Sequence, residues 1–238
     1  MCWDITASAS FSCLFLVINL YYFLRRPKYW KEYLLFGTFY LIMELFQTFQ
    51  WIYGNVYPNH TSYGEKVCDS TNQLYTQIAS ILIWAQPVLY SYIGLRTASQ
   101  NRIYFFKIYL PVCLLILAYS IISLIKGLET DTYYYIGESI FGSSTCTNKG
   151  LTSHLVWRFK PLIVDYHPNY LTYLLLCSLS FLLYENVGTK IIGFGWFIAL
   201  VLTKIILKPT LIEVASSWCL LSIFGNLTIF LFIYCTAG

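Results

Sequence analysis

Charge is scarce in this chain: only 11% of its 238 residues are Asp, Glu, Lys or Arg, where a soluble domain of similar length carries about a quarter. A water-facing globule is therefore a poor fit, and with 58% hydrophobic residues the natural solvent is lipid. The chain also has no Gly/Ser/Pro linker, no block of like charge and no internal repeat. That leaves no seam for a second domain, so residues 1–238 read as one bundle. Histidine is nearly absent. His60, His154 and His167 all fall between apolar segments with no helical i, i+4 pair, which disfavours an intramembrane metal centre. No metal, no cofactor and no catalytic residue is expected, and an enzyme is the weaker expectation. The net charge of +4 resides mainly in loop lysines and arginines and forms no nucleic-acid-binding patch, so no nucleic-acid partner is expected.

What the sequence does contain is a set of apolar runs near the roughly 20 residues a helix needs to cross a bilayer. In lipid, backbone hydrogen bonding admits only helices or closed barrels, and these runs are too long for barrel strands. Seven spans are expected: Ile5 to Leu24, Tyr33 to Tyr53, Gln73 to Arg96, Ile103 to Lys126, Tyr170 to Glu185, Gly188 to Ile206 and Leu211 to Cys235. The fold class is thus all-α, a polytopic membrane bundle, with the fifth and sixth spans preferably forming a tight hairpin around Asn186 and Val187, one long kinked span being the alternative. Arg25, Arg26, Lys28 and Lys31 follow the first span, and the positive-inside bias makes that span an uncleaved anchor with its N-terminus outside. Seven crossings then put the C-terminus inside and loops 54–72 and 127–169 outside.

Two outside features agree with that orientation. Asn59-His60-Thr61 is a glycosylation acceptor. Cys68 and Cys146 lie one in each long outside loop, where a disulfide can form, and Cys2 is the alternative partner. Cys13, Cys113, Cys177, Cys219 and Cys235 fall in apolar spans and read as small packing residues. Within the long loop 127–169, the piece Leu155 to Tyr166 has two readings: an amphipathic segment lying over the bundle mouth, or an ordinary structured loop held by the disulfide.

Polar groups at membrane depth are the candidates for function. A charge near the bilayer centre costs roughly 2.5–3.5 kcal/mol on insertion scales and so faces protein or a hydrated cavity. Glu44 sits near the midpoint of the second span, and helical spacing puts Gln47 and Trp51 on its face, with Gln50 to one side. Gln86, near the middle of the third span, is placed to meet Glu44, and Pro87 beside it frees a backbone carbonyl at that depth. Asn19 and Asn226 form a second layer, expected as packing polar groups between the first and seventh helices. Lys204 either snorkels to the outer headgroups or pairs with Glu213 or Glu44. Glu213, Ser216 and Ser217 at the start of the seventh span would then face the same cavity.

These features exclude several classes. The seventh span has no lysine for a retinal Schiff base, Ser216 and Ser217 lack a base on the same face, and neither a DRY nor an NPxxY pattern occurs. The preferred expectation is a transporter or channel for a proton, cation or small solute. A receptor-like seven-helix binder without conventional G-protein coupling is the alternative, and a membrane-embedded lipid-modifying enzyme the second. The expected location is the secretory-pathway or plasma membrane, or a viral membrane, with the lipid bilayer as the surrounding partner.

The opening MCWDITASAS, Glu44, Gln47 and Trp51 in the second span, and Glu213-x-x-Ser216-Ser217-Trp218-Cys219 in the seventh resemble an uncharacterised family of multi-span membrane proteins from large DNA viruses and protists. Its members begin Met-Cys-Trp, with Ser where this chain has Asp4. The resemblance implies that Cys2, Trp3, Glu44, Trp218 and Cys219 belong to one site or one packing unit. Cys2 and Trp3 would meet the start of the seventh span at an outer mouth, with Trp3 and Trp218 either anchoring the interface or lining an entrance toward Glu44 and Gln86.

Overall fold

The computed structural model describes residues 4–58, 68–128, 145–149, 155–159, 170–185 and 187–202, with the single positions 205, 227 and 231. Among the described residues six helices follow one another: α1 (Ile5–Arg25), α2 (Trp30–Tyr53), α3 (Ser70–Thr97), α4 (Gln100–Leu128), α5 (Tyr170–Leu183) and α6 (Val187–Leu202). Their bounds track the expected spans closely. The expected seventh span, Leu211 to Cys235, lies outside the described residues apart from positions 227 and 231.

Helix ends are set by local chemistry. Asp4 caps α1 by accepting from the Ala7 amide at 2.8 Å, and Asp69 caps α3 by accepting from the Asn72 amide at 2.7 Å, each satisfying a donor the first turn leaves open. Arg26 and Tyr29 both take left-handed backbone conformations, with φ of 46° and 64°. These two residues reverse the chain between α1 and α2, and the Arg26 amide closes α1 by donating to the Tyr22 carbonyl at 3.0 Å.

The all-α expectation needs one addition. Three short strands, β1 (Tyr57–Pro58), β2 (Cys146–Lys149) and β3 (Leu155–Arg158), form a sheet in that order, β1 parallel and β3 antiparallel to β2. Leu155, Val156 and Trp157 are buried in it, so the start of the Leu155 to Tyr166 piece is a strand in a structured loop and not an amphipathic segment lying over the bundle mouth. Its remainder from 160 onward lies outside the described residues. The Cys68–Cys146 disulfide ties β2 to the residues just before α3.

Among the described residues three helices are long and apolar enough to cross a membrane: Ile5–Arg25, Ser70–Thr97 and Gln100–Ser123. α5 and α6 are apolar but shorter. The 24-residue α2 is long enough, and its Glu44, Gln47 and Gln50 lower its apolarity. Packing comprises a main core among the helices and a smaller cluster of Ala79, Leu155, Trp157 and Phe159 against the sheet. α1 and α2 form the most extensive helix pair, α3 packs on α2, α4 and α5, and α5 and α6 fold back on each other as the expected hairpin. There the Phe181 and Trp196 rings lie 5.2 Å apart. Tyrosine and phenylalanine dominate the main core: Phe15 stacks on Tyr40, while the Phe36 ring meets Tyr40 and the Tyr90 ring meets Phe181 in tilted pairs.

Candidate functional site

The polar face of α2 organises the interior. Its buried positions Tyr33, Phe36, Gly37, Tyr40, Met43, Glu44, Gln47 and Gln50 recur at intervals of three and four, the spacing of one helix face. Three of them, Glu44, Gln47 and Gln50, are fully buried. Gln50 is engaged at both ends, donating to the Thr147 hydroxyl at 2.8 Å and accepting from the Trp157 indole at 3.1 Å. Gln47 is different: neither its amide nitrogen nor its oxygen has a hydrogen-bond partner among the described residues. The stripe ends in Gln50 where the spacing pointed to Trp51, because the sheet covers that side of the helix. Trp51 is half-buried instead, packed with Ala79, Leu155, Trp157 and Phe159.

Gln86 on α3 does not meet Glu44 in a hydrogen bond. Its side-chain oxygen accepts from the hydroxyls of Tyr173 at 2.7 Å, Tyr90 at 3.2 Å and Tyr40 at 3.3 Å, and its nitrogen donates toward the Met43 sulfur at 3.6 Å. The Tyr40 and Tyr90 hydroxyls also bond to each other. One carboxamide thereby joins α2, α3 and α5 about a turn from Glu44. Next to this hub Ser91 donates to the Pro87 carbonyl at 2.7 Å and lies within 3.3 Å of Ser180 on α5 and 3.2 Å of Cys113 on α4.

At the end of the bundle nearest the sheet, Thr147 is gripped by two helices. Besides the bond from Gln50, its hydroxyl hydrogen-bonds the Thr76 hydroxyl at 2.7 Å, its amide donates to Asn72 at 2.8 Å, and its carbonyl accepts from Asn72 at 3.0 Å. Asn55 reaches the capping Asp69 at 2.7 Å. The disulfide partner Cys146 adjoins this residue, so the covalent tie and the polar clamp act on the same strand. At the opposite end charges pair across turns: Arg96 with Glu32 at 3.4 Å, and Arg102 with Glu185 at 3.2 Å. The Ser99 amide donates to Glu185 at 2.7 Å. That bond, with Arg102 and Lys190 nearby, holds the Glu185 carboxyl below its ordinary titration range.

Asn19 lies against α2, donating weakly to Thr38 at 3.4 Å beside Gly37. Its intended partner Asn226 lies outside the described residues, as do Cys2, Trp3, Asn59, Lys204, Glu213, Ser216, Ser217, Trp218 and Cys219. Cys113 and Cys177 are buried as expected, while Cys13 is exposed on the outer side of α1. Among the described residues no three His, Cys, Asp or Glu side chains gather in a way that could hold a metal. The residues that sequence reasoning missed are Tyr40, Tyr90 and Tyr173 around Gln86, Asn72, Thr76 and Thr147 at the clamp, and Ser8 and Ser12 on the buried face of α1. The one available signal was the i, i+4 pairing of Ser8 with Ser12 and of Asn72 with Thr76.

A mainly helical protein with long apolar helices and an inward row of polar side chains belongs to the class compatible with membrane association. Within that class, the chain belongs to the family of unknown function DUF5765, whose model matches residues 6–236. It is 51% identical to the uncharacterized protein R287 of Acanthamoeba polyphaga mimivirus, over 100% of this chain and 98% of that protein. No solved structure matches it.

Proposed function

We propose that the chain is a multi-pass membrane protein with seven spans, its N-terminus outside and its C-terminus inside, which carries or conducts a proton, cation or small solute through a polar interior centred on α2. The observation that carries this reading is the fully buried row of Glu44, Gln47 and Gln50 within one long helix. Such side chains inside a membrane face protein or a water-filled path, and an amide with no protein partner calls for one. The charge distribution supports the orientation. Arg25, Arg26, Lys28, Lys31, Arg96, Arg102 and Lys190 flank the turns at one end, and the Cys68–Cys146 disulfide lies at the other, as an oxidising outside requires. Glu213, Ser216 and Ser217 would extend the path outward, with Cys2, Trp3, Lys204, Trp218 and Cys219 around its mouth and a glycan on Asn59.

The test is flux. In vesicles containing the purified protein, an imposed proton, alkali-cation or solute gradient should dissipate faster than in empty vesicles, and Glu44→Gln should slow that flux at least about tenfold. Absence of any flux from folded protein, or full flux in the variant, would remove the reading. A receptor-like binder is the second reading, favoured by the disulfide-tied sheet that docks on Gln50, which gives an outside element a direct mechanical link to the polar stripe.

A further inference from the structure

The turn between α1 and α2 is the most basic stretch of the chain. Its residues 25–31, RRPKYWK, include Arg25, Arg26, Lys28 and Lys31, all four exposed. The acid beside them, Glu32, is buried and taken by Arg96 at 3.4 Å. Among the described residues none of the four basic side chains meets a carboxylate, since the ion pairs there join Arg96 to Glu32 and Arg102 to Glu185. Three of them lie over aromatic rings instead. Arg26 is 5.6 Å and Lys31 5.8 Å from the centre of the Trp30 ring, Arg26 is also 5.7 Å from Phe23, and Lys28 is 5.1 Å from Tyr29. A ring face holds a cation in place without neutralising it, so the positive field stays open to whatever lies beyond the turn.

Depth decides what that is. Both helices run antiparallel away from the turn, with the Tyr22 and Tyr33 rings 5.7 Å apart, Asn19 bonded to Thr38 and Phe15 stacked on Tyr40 at 6.0 Å. The cations therefore sit just past the ends of two apolar helices. Trp30 among them is half-buried, and tryptophan rings of membrane proteins settle at headgroup level. On the last turns of α1 leading to the cluster, Leu20, Phe23 and Leu24 are between 48% and 68% exposed. A free inorganic anion gains nothing from that apolar wall. A phospholipid does, because its phosphate reaches the cations while its acyl chains cover the leucines. Charge then selects the headgroup: a zwitterionic one brings its own ammonium, whereas a net negative one gains about fivefold in partition for each Lys or Arg it meets. We infer that Arg25, Arg26, Lys28 and Lys31, with Trp30, form a docking surface for anionic phospholipids of the leaflet that receives the α1–α2 turn. This rests on the membrane placement proposed above and not on transport.

Thermal unfolding of the full chain in neutral detergent tests it, with phosphatidylglycerol, phosphatidylcholine or inorganic phosphate added. Phosphatidylglycerol should raise the midpoint at least about 3 °C above phosphatidylcholine, and about 0.5 M salt should erase most of that difference. A quadruple variant with Arg25→Gln, Arg26→Gln, Lys28→Gln and Lys31→Gln should lose the difference while matching the parent in phosphatidylcholine. A second readout needs no charge variant. In mixed vesicles, phosphatidylglycerol brominated near the top of its acyl chains should quench more tryptophan fluorescence than phosphatidylcholine brominated alike, and the excess should vanish in Trp30→Phe. Equal midpoints with the two lipids, a lipid effect that survives the quadruple variant, inorganic phosphate matching the lipid, or equal quenching would each overturn the surface. Alkaline extraction separates this claim from membrane placement. A chain that stays in phosphatidylcholine vesicles at high pH yet shows no lipid preference keeps its spans and loses the docking surface. One that binds only phosphatidylglycerol vesicles and is stripped by salt keeps the surface and loses the spans.

Discussion

Gln86 is the residue whose loss should be felt most widely. Three tyrosine hydroxyls from α2, α3 and α5 converge on its one oxygen, and a leucine of similar size would leave them facing hydrocarbon. Gln86→Leu should lower the denaturation midpoint in detergent by the equivalent of about 2–4 kcal/mol. Tyr173→Phe, which removes the hydroxyl that donates to Gln86, should have about a third of the effect. A Gln86→Leu protein as heat-resistant as the parent would show that the hub contributes nothing net. Gln86 itself stood out in the sequence because an amide in an apolar run is rare. Its partners did not, because with 22 tyrosines in the chain no single one is conspicuous, and pairing among residues 40, 90 and 173 depends on how three helices dock. Glu44 and Gln47 were legible for the same reason as Gln86. Ser8 and Ser12 were not, since serine is common in apolar helices and bonds back to its own backbone, as Ser12 does.

At the scale of elements, two junctions carry separate predictions. Gly94 on α3 lies against the Phe106 ring of α4, which sits where a side chain at 94 would begin. Gly94→Ala should therefore push the pair apart at a cost of about 1–3 kcal/mol, seen as a lower midpoint and rescued in part by Phe106→Leu. The second junction joins the α3–α4 turn to the α5–α6 turn through Glu185. Because folding lowers the pKa of this carboxyl, its contribution is full above the ordinary carboxylate range and is lost as pH falls through the lowered folded value. The midpoint of the parent should accordingly drop on acidification below about pH 4, and Glu185→Gln should flatten that acid limb. An unchanged limb would assign acid sensitivity elsewhere. Helices were readable from hydrophobic run length, and their observed bounds differ from expectation by a few residues at the caps. The sheet was not readable. Its strands are two to four residues long, too short for alternation to register, and they exist because a disulfide and the Gln50–Thr147–Asn72 clamp hold them on the helices.

For the whole molecule, the disulfide closes a loop of 78 residues that contains α3 and α4. Chain-entropy reasoning gives such a cross-link about 4 kcal/mol, so Cys146→Ser should lower the midpoint markedly and remove the mobility shift that reductant produces on a gel. Cys68→Ser should behave alike and the double variant no worse, since the two residues act as one bond. The pairing was legible because Cys68 and Cys146 each fall in a long loop between apolar runs, whereas the order of packing among helices was not, because apolar faces carry little address. Packing order has a consequence for how the protein is made. α1 and α2 are separated by only the short turn around Arg26 and Tyr29 and, among the described residues, form the most extensive helix pair, so they leave the ribosome one directly after the other and are ready to dock before α3 exists. In a chain inserted as proposed, Glu44 and Gln47 would enter the bilayer with the serine face of α1 already beside them. The segment hardest to dissolve in lipid thus arrives with its escort, and inserting α2 without α1 should strand it at the membrane surface.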